Sequence, residues 1–483
     1  MRNLLQGILF VVLLASFCLG SCRKMTITTD PGAQLEFELD TLKFDTVFTG
    51  RGSATRFFKV YNRNSQAVNV SEIRLDGANG SVFRLNIDGF AQNNVNDIEI
   101  AGEDSLWIFC ELTIDPDDQT NAFILKDSIV FETNGNTQQV QLEAFGQNAN
   151  YIGESGKIHT LSCDESVWND PKPYVILGFT IVDSCDLTIA PGTRVHFQGG
   201  RVEDQDLILP SGVLFVTPNA SLLAEGTLDD PIVFRTDRIE PEFADVPGQW
   251  GGLWLFEGST GNRIDHARIR NAVVGVRVDS AATLDISNTW IYENSGSGLA
   301  ARHATIDGEN LLIFDCSSFN VQMEFGGEYD FRHCSFVNYS VNPFVSHADP
   351  ILRISNYWIQ ENTDGSRTLL ENEGNLNITN TIIHGSRPEE IVLDNPDDVS
   401  ANLNFNFDHC LIKADTLNVN SFINPIINED PMFVDIFVQD YRLDTIVAPS
   451  VNNGTPDLFP PVPFDLDGNP RVDVPDIGCY EFQ

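Results

Sequence analysis

Seven short segments in the second half of the chain place apolar residues at fixed offsets. They are IDHARI (264–269), ISNTWI (286–291), GENLLI (308–313), FRHCSF (331–336), ISNYWI (354–359), ITNTII (378–383) and FDHCLI (407–412). The first position is apolar except at Gly308, and the sixth is always Ile or Phe. The third position reads His266, Asn288, Asn310, His333, Asn356, Asn380 and His409, with steps of 22, 22, 23, 23, 24 and 29 residues. A period of this size in β-rich sequence predicts a solenoid, in which stacked coils bury a core that no single unit could bury alone. The Asn/His column is expected to form an interior polar ladder at a turn. Each side chain would bond its neighbours one coil up and down, ~4.8 Å away.

The fifth position reads Arg268, Trp290, Leu312, Ser335, Trp358, Ile382 and Leu411. Side chains alternate faces along a strand, so with the sixth position inward the fifth points outward. Trp290 and Trp358 are then three coils apart, roughly 14 Å at the sheet spacing. Exposed aromatics on a flat β face suit stacking against sugar rings, and a large exposed apolar patch marks a partner. The opposing expectation is that the N-terminal domain or the C-terminal segment covers this stripe.

Upstream, residues 26–150 hold strand-like runs such as RFFKVYN, AVNVSEIRL and SIVFET, separated by turn clusters such as Asp76-Gly77 and Asn134-Gly135-Asn136. Alternation with polar turns over ~120 residues predicts a β-sandwich. Short apolar strands broken by Pro and Gly, as in LTIAPGTRVHF (187–197) and GVLFVTPNASLLAEGT (212–227), begin the solenoid. Together these give an all-β chain with four parts. They are a signal segment (1–21), a β-sandwich (22–150), a right-handed parallel β-helix (151–428) and a C-terminal cap (429–483). The hand follows the general preference for right-handed crossovers.

The N-terminus reads MRNLLQGILFVVLLASFCLGSC: one basic residue, an apolar run from Ile8 to Leu19, then small residues. The run is too short to cross a bilayer and reads as an export signal. Leu19-Gly20-Ser21-Cys22 resembles a bacterial lipobox, which implies lipidation of Cys22 and a membrane partner through that anchor. Removing residues 1–21 takes away one basic residue, so the mature charge is 28 − 69 = −41. Such acidity excludes electrostatic binding of nucleic acid and argues against adhesion to anionic lipid.

The stretches FDTVFTGRGSATRFFKVYN (44–62) and DSIVFETNGNTQQVQLEAFGQNA (127–149) resemble an immunoglobulin-like domain of exported Bacteroidetes-type lipoproteins. The last 55 residues carry Asp430-Pro431, Asp440-Tyr441-Arg442-Leu443, Asp467-Gly468-Asn469-Pro470-Arg471 and Asp476-Ile477-Gly478. This pattern resembles the ending of choice-of-anchor Q β-helix proteins, with Cys479 where a small residue such as Ala is expected. The resemblance implies a fold, a cap and a cell-envelope setting, in keeping with an outer-membrane lipoprotein whose facing is open, and no reaction. An open solenoid end exposes strand edges, so a cap is physically required.

Candidate chemistry is sparse. With 69 acidic residues, carboxylate pairs suited to a hydrolase arise by chance. A lyase would need a base and a cation, for which Lys413, the one Lys between 173 and 483, and Arg268, Arg270 and Arg353 are available. The ladder histidines read as polar stand-ins for Asn. Asp465, Asp467 and Asn469 begin like a calcium loop but lack its closing Glu, and read as a tight turn. No metal or cofactor is expected. Cys163 and Cys185 are candidates for a disulfide, and Cys334 and Cys410 read as small core residues. The expected function is a lipid-anchored envelope module that binds polysaccharide or a surface protein. The alternative is a polysaccharide lyase or glycoside hydrolase.

Overall fold

A computed structural model describes residues 26–77, 80–115, 122–205, 207–362, 364–396, 399–419 and 422–483. The chain is nearly all β and divides into two compact units, residues 1–148 and 149–483.

The N-terminal unit holds two sheets. In one, strands Ile27–Thr28, Ala67–Leu75, Phe123–Thr133, Asn136–Gln147 and Thr41–Phe48 lie in that order, with Asn94–Ile100 paired to Ala67–Leu75. The other runs Glu36–Phe37, Arg56–Tyr61, Ser105–Leu112, Phe83–Ile87. The core takes alternate residues from both sheets: Phe58, Val60, Ile108 and Leu112 from the second, Val70, Ile73, Phe131 and Val140 from the first, all fully buried. Period-two alternation thus fixes which face of each strand meets the core.

The second unit is a solenoid built on a single network of 25 strands, in which strands of successive coils pair in parallel. Three faces recur. Sheet 1 includes Asn262–Asp265, Thr283–Ser287, Gly374–Thr379 and Leu403–Asp408. Sheet 2 includes Ala267–Arg270, Trp290–Asn294, Leu312–Cys316, Ser335–Asn338, Ile382–Gly385 and Leu411–Ile412. Sheet 3 includes Gly252–Leu255, Val276–Val278, Leu352–Ser355 and Ile391–Asp394. The strands Leu299–Glu309 and Val321–Arg332 each run from sheet 3 into sheet 1. First-position Ile264, Phe331, Ile378 and Phe407 and sixth-position Ile269, Ile291, Ile313, Phe336, Ile383 and Ile412 are fully buried in one continuous core. Gly308 breaks the apolar rule because a Cβ there would lie 2.6 Å from the Phe331 ring of the next coil.

The Asn/His column marks the corner between sheets 1 and 2. His266, Asn288, Asn310, His333, Asn380 and His409 have φ between 46° and 50°. This left-handed region is open mainly to Gly, with Asn and His enriched among the rest, which explains the two residue types. The expected bonds between neighbouring rungs form, but the column also bonds the C-terminal segment, so it is not the sealed interior ladder expected above. Asn310 Nδ2 donates to Asn288 Oδ1 (3.0 Å) and to the Phe464 carbonyl (2.8 Å). Asn380 bonds His333 Nε2 (3.0 Å), and both accepts from and donates to the Thr455 backbone (2.8 Å each). Asn288 and His266 both reach Asp265 Oδ1, at 2.9 Å each.

Asn356 does not belong to this ladder. Ile354 pairs with Met323 on sheet 3, while Phe331 pairs with Ile378 on sheet 1. The 331–336 unit is therefore followed by 378–383, and 354–359 is a strand of another face that leaves the coil after Ser355. Asn356 is buried elsewhere, donating to Asn395 and to the Ala401 carbonyl.

Residues 429–483 do not simply close the open end. They lie along the flank of sheet 2, over Leu312, Phe314, Val337, Ile382 and Leu411, using Tyr441, Leu443, Val451, Ile477 and Cys479. Cys479 N donates to Ser335 Oγ at 3.1 Å, and Arg471 reaches Asn310 Oδ1 at 2.9 Å. Cys163 and Cys185 form a disulfide, and Asp465 Oδ1 accepts from the backbone of Asp467 and Asn469, closing the expected tight turn.

Candidate functional site

The expected aromatic stripe on the solenoid is covered. Leu312 and Leu411 are fully buried, and Ser335 and Ile382 are 1% exposed, beneath the C-terminal segment. Trp290 is half-buried against that cluster, with the Arg268 guanidinium 5.0 Å from its ring centre. Trp358 is not on this face. It sits in a hairpin of Tyr357–Glu361 with Arg367–Glu371 that projects from the coil, its ring stacked on Arg302 at 3.8 Å. The pairing of Trp290 with Trp358 as one platform is thereby overturned. The two do not share a strand column, and one is packed against the chain's own end. Cys22 lies outside the described residues.

An uncovered aromatic face exists on the N-terminal unit. Strands Arg56–Tyr61 and Ser105–Leu112 turn Phe58, Val60, Leu106, Ile108, Cys110 and Leu112 inward. Alternation then directs Phe57, Lys59, Trp107, Phe109 and Glu111 outward. Antiparallel register sets Phe57 opposite Phe109 and Lys59 opposite Trp107. Phe57 is 54% and Trp107 36% exposed. Their rings meet edge to face at 5.2 Å, Trp107 stacks on Phe109 at 6.0 Å, and the Lys59 ammonium lies 4.4 Å from the Trp107 ring centre. Beside Phe109, a depression of about 740 Å³ is lined by Arg84, Asn86, Gln92, Asn93 and Glu111. Arg84 faces Glu111 and Asn86 faces Phe109 across the strands. The face thus offers flat apolar rings next to Arg84, Asn86, Gln92 and Glu111, while Asn93 uses its amide on Leu85 N and the Phe83 carbonyl. Sequence reasoning missed it, although SLWIFCEL (105–112) carries the signal: both phases of the alternation hold large apolar residues, which a half-solvated strand does not need.

Two buried carboxylates lie on neighbouring strands of sheet 2. Glu293 and Asp315 occupy one position of consecutive coils, since Tyr292 pairs with Phe314 and Asn294 with Cys316. Burial pushes them up, to about 7 and about 6 respectively. Glu293 binds Arg270, which also binds Asp245 at 2.9 Å, and Gln439 of the C-terminal segment donates to Asp315. Glu293 is 1% exposed and Asp315 fully buried, so both face protein rather than a cleft.

No family model matches the chain, and no curated protein does. Among solved structures, a catalytic domain of a GH87 alpha-1,3-glucanase in complex with nigerose is 9% identical, covering 77% of this chain and 87% of that one, at a TM-score of 0.24. The catalytic unit of a thermostable GH87 alpha-1,3-glucanase from Streptomyces thermodiastaticus strain HF3-3 is 9% identical over 80% and 77%, at 0.23. The ASH / PapD-like domain of human CEP192 is 11% identical over 27% and 94%, at 0.18. At TM-scores this low the likenesses carry no argument about fold or activity.

Proposed function

We propose that this chain is a lipid-anchored bacterial envelope protein that binds glycan through the outer face of its N-terminal, immunoglobulin-like unit, with the solenoid as scaffold. The observation that carries this reading is the exposed Phe57–Trp107–Phe109 cluster beside a polar depression. A sugar ring has an apolar C–H face and a hydroxyl rim. The rings can cover the first, and the Arg, Asn, Gln and Glu groups can bond the second. An apolar patch left uncovered on a protein of this acidity is otherwise a liability.

A glycan array probed with the full-length chain, then isotherms on any hit with the double variant Phe57→Ala, Trp107→Ala, test the reading. Binding should weaken by about tenfold or more, equivalent to ~1.4 kcal/mol, with an unchanged thermal midpoint. An array on which no glycan binds, or a double variant that binds normally, would sink it. The anchor rests on Leu19-Gly20-Ser21-Cys22. Cys22→Ser should lose palmitate labelling and leave the membrane fraction, and a variant that still labels would overturn the lipobox reading.

A further inference from the structure

A second groove lies in the solenoid unit, between the last coils of sheet 2 and the hairpin of Phe433–Asp435 with Asp440–Leu443. It has a volume of about 430 Å³ and is lined by Tyr339, His384, Lys413, Asp430, Phe433 and Phe437. One wall is apolar. Phe437 stands 78% exposed, and Phe433 lies 6.3 Å from Tyr339, ring centre to ring centre. The other wall is polar and built on successive coils, since Ile383 pairs with Ile412 and so His384 precedes Lys413 by one coil. Tyr339 Oη lies 2.7 Å from His384 Nδ1. Burial, aided by Lys413, lowers His384 to about 4, so the ring is neutral and shares a single hydrogen bond with the phenol. With two lone pairs and one proton, the phenol oxygen keeps at least one lone pair for a ligand. Asp430 Oδ1 accepts from Met432 N at 2.9 Å, leaving its other oxygen as a further acceptor. Lys413 has no ion-pair partner among the described residues, despite 69 acidic residues in the chain.

We propose that this groove is a second carbohydrate site, which takes a neutral oligosaccharide with a ring face on Phe437 and hydroxyls on Lys413, Asp430 and Tyr339. The class follows from charge. Lys413 is offset by Asp430 in the groove, and a chain of net charge −40 repels polyanions. Neither wall alone suits a sugar. An exposed ring supplies stacking without direction, and the polar trio supplies direction without apolar contact. The site is independent of the N-terminal face, being in the other unit.

The test uses the full-length chain with the N-terminal face disabled by Phe57→Ala and Trp107→Ala, titrated by calorimetry with hexasaccharides of β-1,4-linked glucose, mannose and xylose and with hexagalacturonate. The expected result is retained binding of at least one neutral hexasaccharide. That binding should fall about tenfold on adding Phe437→Ala or Asp430→Asn, neither of which should move the thermal midpoint. If the disabled chain binds none while the parent does, the second site is wrong and the N-terminal reading stands. If hexagalacturonate binds more tightly than the neutral sugars, the assigned class is wrong. If Phe437→Ala instead dissolves a dimer in sedimentation, the groove is a contact between copies and the proposal falls.

Discussion

The flank of sheet 2 and the outer face of the N-terminal four-stranded sheet present the same kind of surface and meet opposite ends. Both put large apolar side chains outward at alternate positions: Trp290, Leu312, Ile382 and Leu411 on one, Phe57, Trp107 and Phe109 on the other. On sheet 2 the chain supplies its own cover, and Leu312 and Leu411 are fully buried. On the N-terminal sheet Phe57 and Trp107 stay more than a third open. Outward apolar residues therefore announce a partner without saying whether that partner is intramolecular. The covered face mixes aliphatic Leu312, Ile382 and Leu411 with the packed rings of Tyr292 and Phe314. The open face is aromatic, with polar neighbours, suited to a ligand that is itself half apolar.

The largest effect should come from removing the cover. Deleting residues 429–483 uncovers Leu312, Phe314, Ile382 and Leu411, each worth about 1.5–3 kcal/mol when buried. It also strips the partners of Asn310 and Asn380. The truncated chain is expected to aggregate, as judged by light scattering behind size exclusion. A monomeric product with the parent's melting curve would mean that the flank needs no cover.

Asn380→Leu strikes the same seam at one residue. The side chain is fully buried, exchanges two bonds with Thr455 and meets His333, and its backbone sits at φ 50°. Leaving those groups unpaired costs about 1–3 kcal/mol, and a branched residue in the left-handed region adds roughly 1–2 kcal/mol. Chemical denaturation should show a loss of that size. Asn380→Gly, which keeps the conformation, should lose only the hydrogen-bond part.

The corner residues were legible because few side chains tolerate φ near 50°, so Asn and His recur at a period. Asn356 falls outside the ladder although ISNYWI differs from ISNTWI only at its fourth residue, and a period of 23 or 24 cannot say which of three faces a strand joins. Only the pairing of Phe331 with Ile378 separates them. The outward direction of the fifth position was legible from alternation. A cover from the N-terminal domain or the C-terminal segment is the opposing expectation above; the sequence does not choose between the two, because much of 429–483 lacks regular structure and shows no pattern aimed at a neighbour. The N-terminal face went unread although Trp107 and Phe109 stand in the outward phase of SLWIFCEL.

A smaller effect, of opposite sign, is expected at Asp315, which ties sheet 2 to Gln439 of the cover. Burial raises this carboxyl to about 6. An unfolded Asp loses its proton near pH ~4, so between pH 4 and 6 the unfolded state releases a proton that the folded state keeps. Stability should fall through that window and level off above it. Asp315→Asn should remove the fall and make the protein more stable at pH 8 by about 1–3 kcal/mol, with little change at pH 4. Denaturant midpoints at the two pH values decide this. A variant weakened equally at both would show that the carboxylate is a net support.

The smallest effect on stability, and the most direct attack on the comparison, sets Trp290→Ala against Trp107→Ala. Trp290 lies edge to face with Tyr292 and Phe314, each at 6.2 Å, in the cluster that the C-terminal segment completes. Its loss should lower stability by about 1–2 kcal/mol, the scale of a partly buried large side chain, and leave glycan binding untouched. Trp107 touches Phe57, Phe109 and Lys59 on an open face. Its loss should change the unfolding free energy by less than ~0.5 kcal/mol, as surface substitutions usually do, and should weaken binding. If the two tryptophans exchange these outcomes, the open face is an interior seam and the covered flank is the place to seek a ligand. If both lower stability alike, the aromatic content of a face says nothing about whether its cover comes from the same chain.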